Sequence, residues 1–153
     1  MKKQKICVIG DGLSGLTAAL VLSNLDIDVD FITKNKQEKK INDPRITAIS
    51  PTNFKFLNKY LDKKDTKLFW PCKKINLFYE KINQFYNFIN FSEDQKNLLY
   101  IIKNNDLKKV LLKKIKSKKN IKIINNEVKK VDTKNSCILF GKKNYTYDLI
   151  LLC

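Results

Sequence analysis

Residues 6–16, Ile-Cys-Val-Ile-Gly-Asp-Gly-Leu-Ser-Gly-Leu, constrain the fold more than any other stretch of the chain. An apolar run, Ile6 to Ile9, ends in Gly10-x-Gly12-x-x-Gly15. An apolar helical pattern, Leu16, Ala19, Leu20 and Leu22, follows at once. Strand, glycine turn and helix in that order give such a motif its meaning. Gly10 is expected to allow the tight turn, Gly12 to let the backbone approach a pyrophosphate, and Gly15 to let the helix pack close to the strand. The helix N-terminus then offers N–H groups and a partial positive charge to the phosphates. The chain has four glycines and three of them stand here, so the motif is not a by-product of a glycine-rich composition.

With 153 residues the chain is expected to form about one domain. Its 43% hydrophobic content is enough for a real core. No stretch approaches the roughly 20 apolar residues of a membrane span. Met-Lys-Lys is followed by a short apolar strand and the glycine turn, where a signal sequence would place its apolar core, so a cytoplasmic protein is expected.

Cys7, Cys72, Cys137 and Cys153 are scattered along the chain, and disulfide pairing is not expected of them in a cytosolic protein. There is no histidine. A zinc site of the usual Cys/His kind is therefore not expected, and no metal ligands are assigned. Ser-His and Cys-His nucleophile mechanisms are excluded within this chain, and no catalytic side chain is assigned.

The net charge of +16 raises the question of nucleic acid. The lysines are spread through a sequence rich in Lys, Asn and Ile rather than gathered in one arm, so nucleic acid is not expected as a partner. Attraction to an anionic membrane surface is the better use of the same charge. One basic residue is not lysine: Arg45, in Asn42-Asp43-Pro44-Arg45. Where composition favours lysine everywhere else, a single arginine points to a need for its planar, multi-donor fork.

Residues 5–9 read as a first strand, 13–25 as a first helix, and 28–33 as a second, parallel strand. A charged loop follows over 34–41. Ser50 as N-cap and Pro51 at the first helical position open a helix to about Leu61, with Phe54, Leu57 and Leu61 on one face. Residues 63–67 read as a linker. Ile75–Tyr79, Phe85–Phe91 and Leu98–Ile102 read as three short antiparallel strands inserted in the core. Asn105-Asp106 caps a helix bearing Leu107, Val110, Leu111 and Ile115, with its lysines on a solvated face. Ile121–Ile124 reads as a further core strand, residues 127–147 as a small meander, and Asp148–Cys153 as a final apolar strand. A buried parallel strand normally hands over to a loop and helix, so the chain is expected to be the N-terminal portion of a larger protein or one half of a split one.

The glycine turn at 10–15, Asp43-x-Arg45-x-x-Ala48, the helix starting Asn105-Asp106-Leu107 and the closing Tyr147-Asp148-Leu149-Ile150 together resemble the single-component flavin monooxygenases, and among them the aromatic hydroxylases of ubiquinone biosynthesis. The resemblance runs over essentially the whole chain. It implies an α/β, Rossmann-like FAD-binding domain spanning 1–153, with an inserted antiparallel β segment and incomplete at its C-terminus. It also implies that Gly10, Gly12 and Gly15, with the N–H groups of Leu13 and Ser14, receive the FAD pyrophosphate. Arg45 would sit beside the flavin or its phosphates, while Asp43 and Ala48 shape their loop.

Two positions depart from that pattern. The acidic residue that usually ends the second strand and holds the adenosine ribose is here Thr33. Losing its charge-assisted bonds would cost about 1–3 kcal/mol, or roughly 10- to 100-fold in affinity. Lys34 beside it would tolerate a 2′-phosphate, which leaves an NADP-like ligand open. The helix that often begins with arginine in that family begins here with Asn105.

By the same resemblance, the full-length enzyme would use NAD(P)H and O2 to hydroxylate an aromatic ring, a prenylated phenol held at the inner membrane face, with peripheral membrane association. Residues 1–153 alone would show background turnover until a C-terminal region or a second chain completes the fold. Two other readings stand beside this one: another FAD- or NAD(P)-dependent oxidoreductase of the same fold, and a non-catalytic dinucleotide-fold module.

Overall fold

The computed structural model describes residues 3–34, 43–92, 96–140 and 143–153. Along the chain run β1 (Gln4–Ile9), α1 (Leu13–Leu22), β2 (Ile27–Thr33), β3 (Ile46–Ile49), α2 (Pro51–Asn58), a 3-10 turn (Asp65–Leu68), β4 (Trp70–Cys72), β5 (Lys74–Lys81), β6 (Gln84–Ser92), β7 (Leu99–Lys103), α3 (Asn104–Lys116), β8 (Ile121–Asn125), β9 (Lys130–Asp132), β10 (Cys137–Phe140), β11 (Lys143–Thr146) and β12 (Leu149–Leu152). The chain divides into two compact units, Met1–Asp43 with Leu107–Cys153, and Pro44–Asp106. Beyond Lys34, the expected charged loop lies outside the described residues.

The first unit is mixed α/β, built on a parallel four-stranded sheet in the order β12-β1-β2-β8. The buried stretches of its two central strands are mostly apolar because both faces are covered. Cys7, Val8, Val29, Phe31 and Ile32 have at most 2% of their surface exposed. Leu16, Ala19 and Leu20 of α1 and Leu107, Leu111 and Ile115 of α3 bury their apolar stripes in this unit. β9, β10 and β11 form the expected antiparallel meander, whose Ile138 and Phe140 pack with Cys7, Ile32 and Tyr147.

Among the described residues, one charged side chain lies inside this unit. Asp30, 3% exposed, accepts a 2.8 Å hydrogen bond from the Tyr147 hydroxyl and a 2.8 Å ion pair from Lys5. A buried carboxylate persists only when it is paired in this way. α1 is shorter than the expected 13–25. The Ser23 hydroxyl and the Asn24 amide both donate to the Leu20 carbonyl, and such side-chain bonds compete with continuation of the helix.

In the second unit the Ser50 hydroxyl accepts from the Asn53 N–H at 3.2 Å, capping α2 with Pro51 at its first position as expected. α2 ends at Asn58 rather than near Leu61, and the expected linker contains a turn of 3-10 helix. The three middle strands do not form one sheet. β5 and β6 pair only with each other, through a turn at Ile82 and Asn83, both at positive φ as a two-residue hairpin requires. β7 pairs instead with β3 and β4. The reason lies in its packing. Tyr100 on β7 stacks on Phe54 of α2 at 3.8 Å, and Ile102 is buried, so β7 belongs to the packed side of this unit while the hairpin residues are exposed. β4 carries Pro71 at a sheet edge, where a missing N–H is tolerated.

Candidate nucleotide-binding site

The site begins where β1 stops. Gly10 has φ +117, a backbone conformation closed to side-chain-bearing residues, and its N–H donates to the Ile32 carbonyl at 3.1 Å, tying the turn to β2. On the other side of β1, the Cys153 N–H donates to the Ile9 carbonyl at 2.9 Å. The turn is therefore clamped between two neighbouring parallel strands at their C-terminal ends, where open α/β sheets bind ligands.

The three glycines meet different surroundings. A Cβ on Gly10 would lie 2.1 Å from the Cys153 carbonyl oxygen, and one on Gly15 would lie 2.1 Å from the Gly10 carbonyl oxygen. These two are required by the protein's own packing. A Cβ on Gly12 would meet nothing within 4 Å. Among the described residues, packing does not require glycine there. Gly12 is also the N-cap of α1 and has no side chain to cap it with; the helix starts with the Leu16 N–H donating to the Gly12 carbonyl at 3.0 Å. The first N–H groups of a helix have no partner within it, and those of Leu13 and Ser14 are the ones expected to receive phosphate. Open space over a helix N-terminus whose N-cap is a glycine fits a pyrophosphate.

A cavity of about 290 Å³ adjoins the turn. Ile9, Gly10, Asp11, Ile32 and Lys34 line it with residues 126–128, which follow β8. Thr33, 9% exposed, donates its hydroxyl to Asp11 Oδ2 at 3.1 Å, and Lys108 Nζ of α3 stands 3.7 Å from the same oxygen. Lys34 pairs with Glu127 at 2.8 Å. The hydrogen-bonded pair holds the Glu127 carboxyl below its usual range and raises the Lys34 ammonium. The structure thus brings Gly10, Gly12, Leu13, Ser14, Gly15, Thr33 and Lys34 together. Arg45 stands in the second unit, on the exposed segment before β3, where its carbonyl accepts from the Asn104 N–H at 3.0 Å.

Asp11, Lys108 and Glu127 are not among the residues expected from sequence. Asp11 occupies a variable place in the motif, Lys108 is one of many lysines, and Glu127 is brought to the turn by the parallel pairing of β8 with β2. Only Asp11 carried a signal, an acid inside a phosphate-type turn. Among the described residues no group of His, Cys, Asp and Glu is arranged to hold a metal, and no helix is long and apolar enough to cross a membrane.

Neither a protein-family model nor a curated protein matches this chain. Solved structures do. 2-Methyl-3-hydroxypyridine-5-carboxylic acid oxygenase in its tetrameric form superposes with a TM-score of 0.74 at 16% identity, over 98% of this chain and 39% of that one. CtdE in complex with FAD matches with a TM-score of 0.71 at 16% identity, over 99% of this chain and 38% of that one. p-Nitrophenol 4-monooxygenase PnpA from Pseudomonas putida DLL-E4 matches with a TM-score of 0.71 at 17% identity, over 98% and 40%. The chain shares their fold. It spans between 38% and 40% of the length of these three structures, and at such identities the likeness speaks for the architecture alone.

Proposed function

We propose that this chain is the nucleotide-binding part of an FAD-dependent monooxygenase that hydroxylates an aromatic ring. The observation that carries the proposal is Gly12: a glycine in open space, as the N-cap of α1, in a turn whose other two glycines are fixed by packing. The FAD-bound and monooxygenase neighbours of the same fold support the choice of ligand and reaction. FAD, when bound, supplies the redox and oxygen chemistry, and the protein positions and shields it.

The chain's own part is binding and orientation. The backbone N–H groups of Leu13 and Ser14, with the positive end of α1, hold the pyrophosphate. Gly10 and Gly15 keep that backbone in place. Arg45, the one guanidinium in the sequence, contributes a multi-donor contact to the flavin or its phosphates. In this reading NAD(P)H is the reductant and the substrate is a prenylated phenol of the ubiquinone precursor type. The net charge of +16 favours its capture at an anionic membrane surface.

Titration of the purified chain with FAD, followed by quenching of flavin fluorescence, tests the reading. Saturable binding that Gly12→Val abolishes is expected, because a branched side chain would fill the space a phosphate needs. Binding equal in both proteins, or none in either, would overturn it. A second reading, a dinucleotide fold kept without its cofactor, draws on one observation: Thr33 stands where a ribose-binding acid is expected.

A further inference from the structure

The end of β2 bears a hydroxyl where nucleotide recognition calls for a carboxylate, yet a carboxylate stands at that edge. It comes from the glycine turn. Gly10 is tied to Ile32 by a backbone hydrogen bond, which brings the next residue, Asp11, beside the end of β2, and Thr33 donates to Asp11 Oδ2 at 3.1 Å. We infer that Asp11, oriented by Thr33, holds the adenosine ribose hydroxyls in place of the missing acid on β2. The inference rests on the nucleotide-binding reading given above.

Three features support it. Asp11 lines the 290 Å³ cavity beside the phosphate-type turn, together with Lys34, the residue that follows Thr33. A carboxylate has about four acceptor positions, and the bond from Thr33 fixes its orientation at the end of β2. Lys108, 3.7 Å away, offsets the repulsion that a carboxylate would otherwise exert on neighbouring phosphates. The arrangement also selects between nucleotides. Lys34, the residue that would welcome a 2′-phosphate, is paired with Glu127 at 2.8 Å. The site is built for a free ribose diol.

The test compares binding of ADP with that of 2′,3′-dideoxy-ADP, by calorimetry on the full chain. The native protein is expected to prefer ADP by about tenfold or more, the value of charge-assisted hydrogen bonds to a diol. Asp11→Asn is expected to bring that ratio to within about threefold of unity, because neutral bonds are worth roughly half as much. If Asp11→Asn does not fold, Thr33→Val carries the same test, since it keeps the charge and removes the group that orients it; a lowered ratio is again expected. Failure of the native chain to bind ADP or FAD would overturn the nucleotide reading itself. Binding with an unchanged ratio in the variants would overturn the role of Asp11 and leave that reading standing. A ratio that collapses in Glu127→Gln but not in Asp11→Asn would assign the ribose to Glu127 instead.

Discussion

Gly15 and Gly10 are interlocked: a Cβ on Gly15 would lie 2.1 Å from the Gly10 carbonyl oxygen. Gly15→Ala therefore forces α1 away from the turn, and backbone cannot yield as a flexible side chain can. A loss of at least about 2 kcal/mol is expected, at the upper end of overpacking costs, read as a lower thermal midpoint. Gly12→Ala is the counterpart. Its Cβ meets nothing within 4 Å, so the midpoint should hold while FAD affinity falls. Structural damage from Gly12→Ala would show that this glycine serves the fold.

Alkali should unfold this protein through its core. Cys7 is fully buried, and burial together with the Asp30 carboxylate pushes its thiol from 9.0 up to about 12. Burial and the bond to Asp30 likewise raise the Tyr147 phenol. Both groups are neutral in the fold and ionise more readily once unfolded. Their contribution is complete below pH 9 and is lost as pH rises towards 12. The urea midpoint should decline over that interval, and Cys7→Val should delay the onset to the range set by the tyrosine. An identical decline in Cys7→Val would remove the thiol from the account.

Tyr147→Phe should cost about 1–3 kcal/mol in urea unfolding at neutral pH, because it deprives the buried Asp30 carboxylate of a 2.8 Å hydrogen bond. No loss would mean that Lys5 alone satisfies that carboxylate.

Ser50→Ala should destabilise the second unit by about 1 kcal/mol through loss of the α2 cap. Hydrogen exchange in residues 51–58 should rise, while that of α1 stays unchanged.

The parallel strands were legible because strands buried on both faces leave apolar runs in the sequence, and the glycine turn because its spacing is chemically constrained. The end of α1 was not. Leu25 continues the apolar pattern, while the bonds from Ser23 and Asn24 that stop the helix depend on local geometry. Nor was the pairing of β7 with β3 and β4 legible, since short strands do not announce their partners, and the contact that draws β7 to α2 is a stack between Phe54 and Tyr100 far apart in sequence. In the site, the glycine turn and the start of α1 were read directly. Asp11 and Glu127 were not, because their place at the end of β2 follows from a backbone bond and a strand pairing.

The central claim, that this chain holds the adenosine diphosphate half of FAD, is tested most directly by displacement. With FAD bound to the purified chain, ADP should release it competitively, while FMN, which lacks the adenosine half, should not compete at similar concentration. Displacement by FMN but not by ADP would contradict the claim, because the chain would then be gripping the flavin ring end rather than the nucleotide.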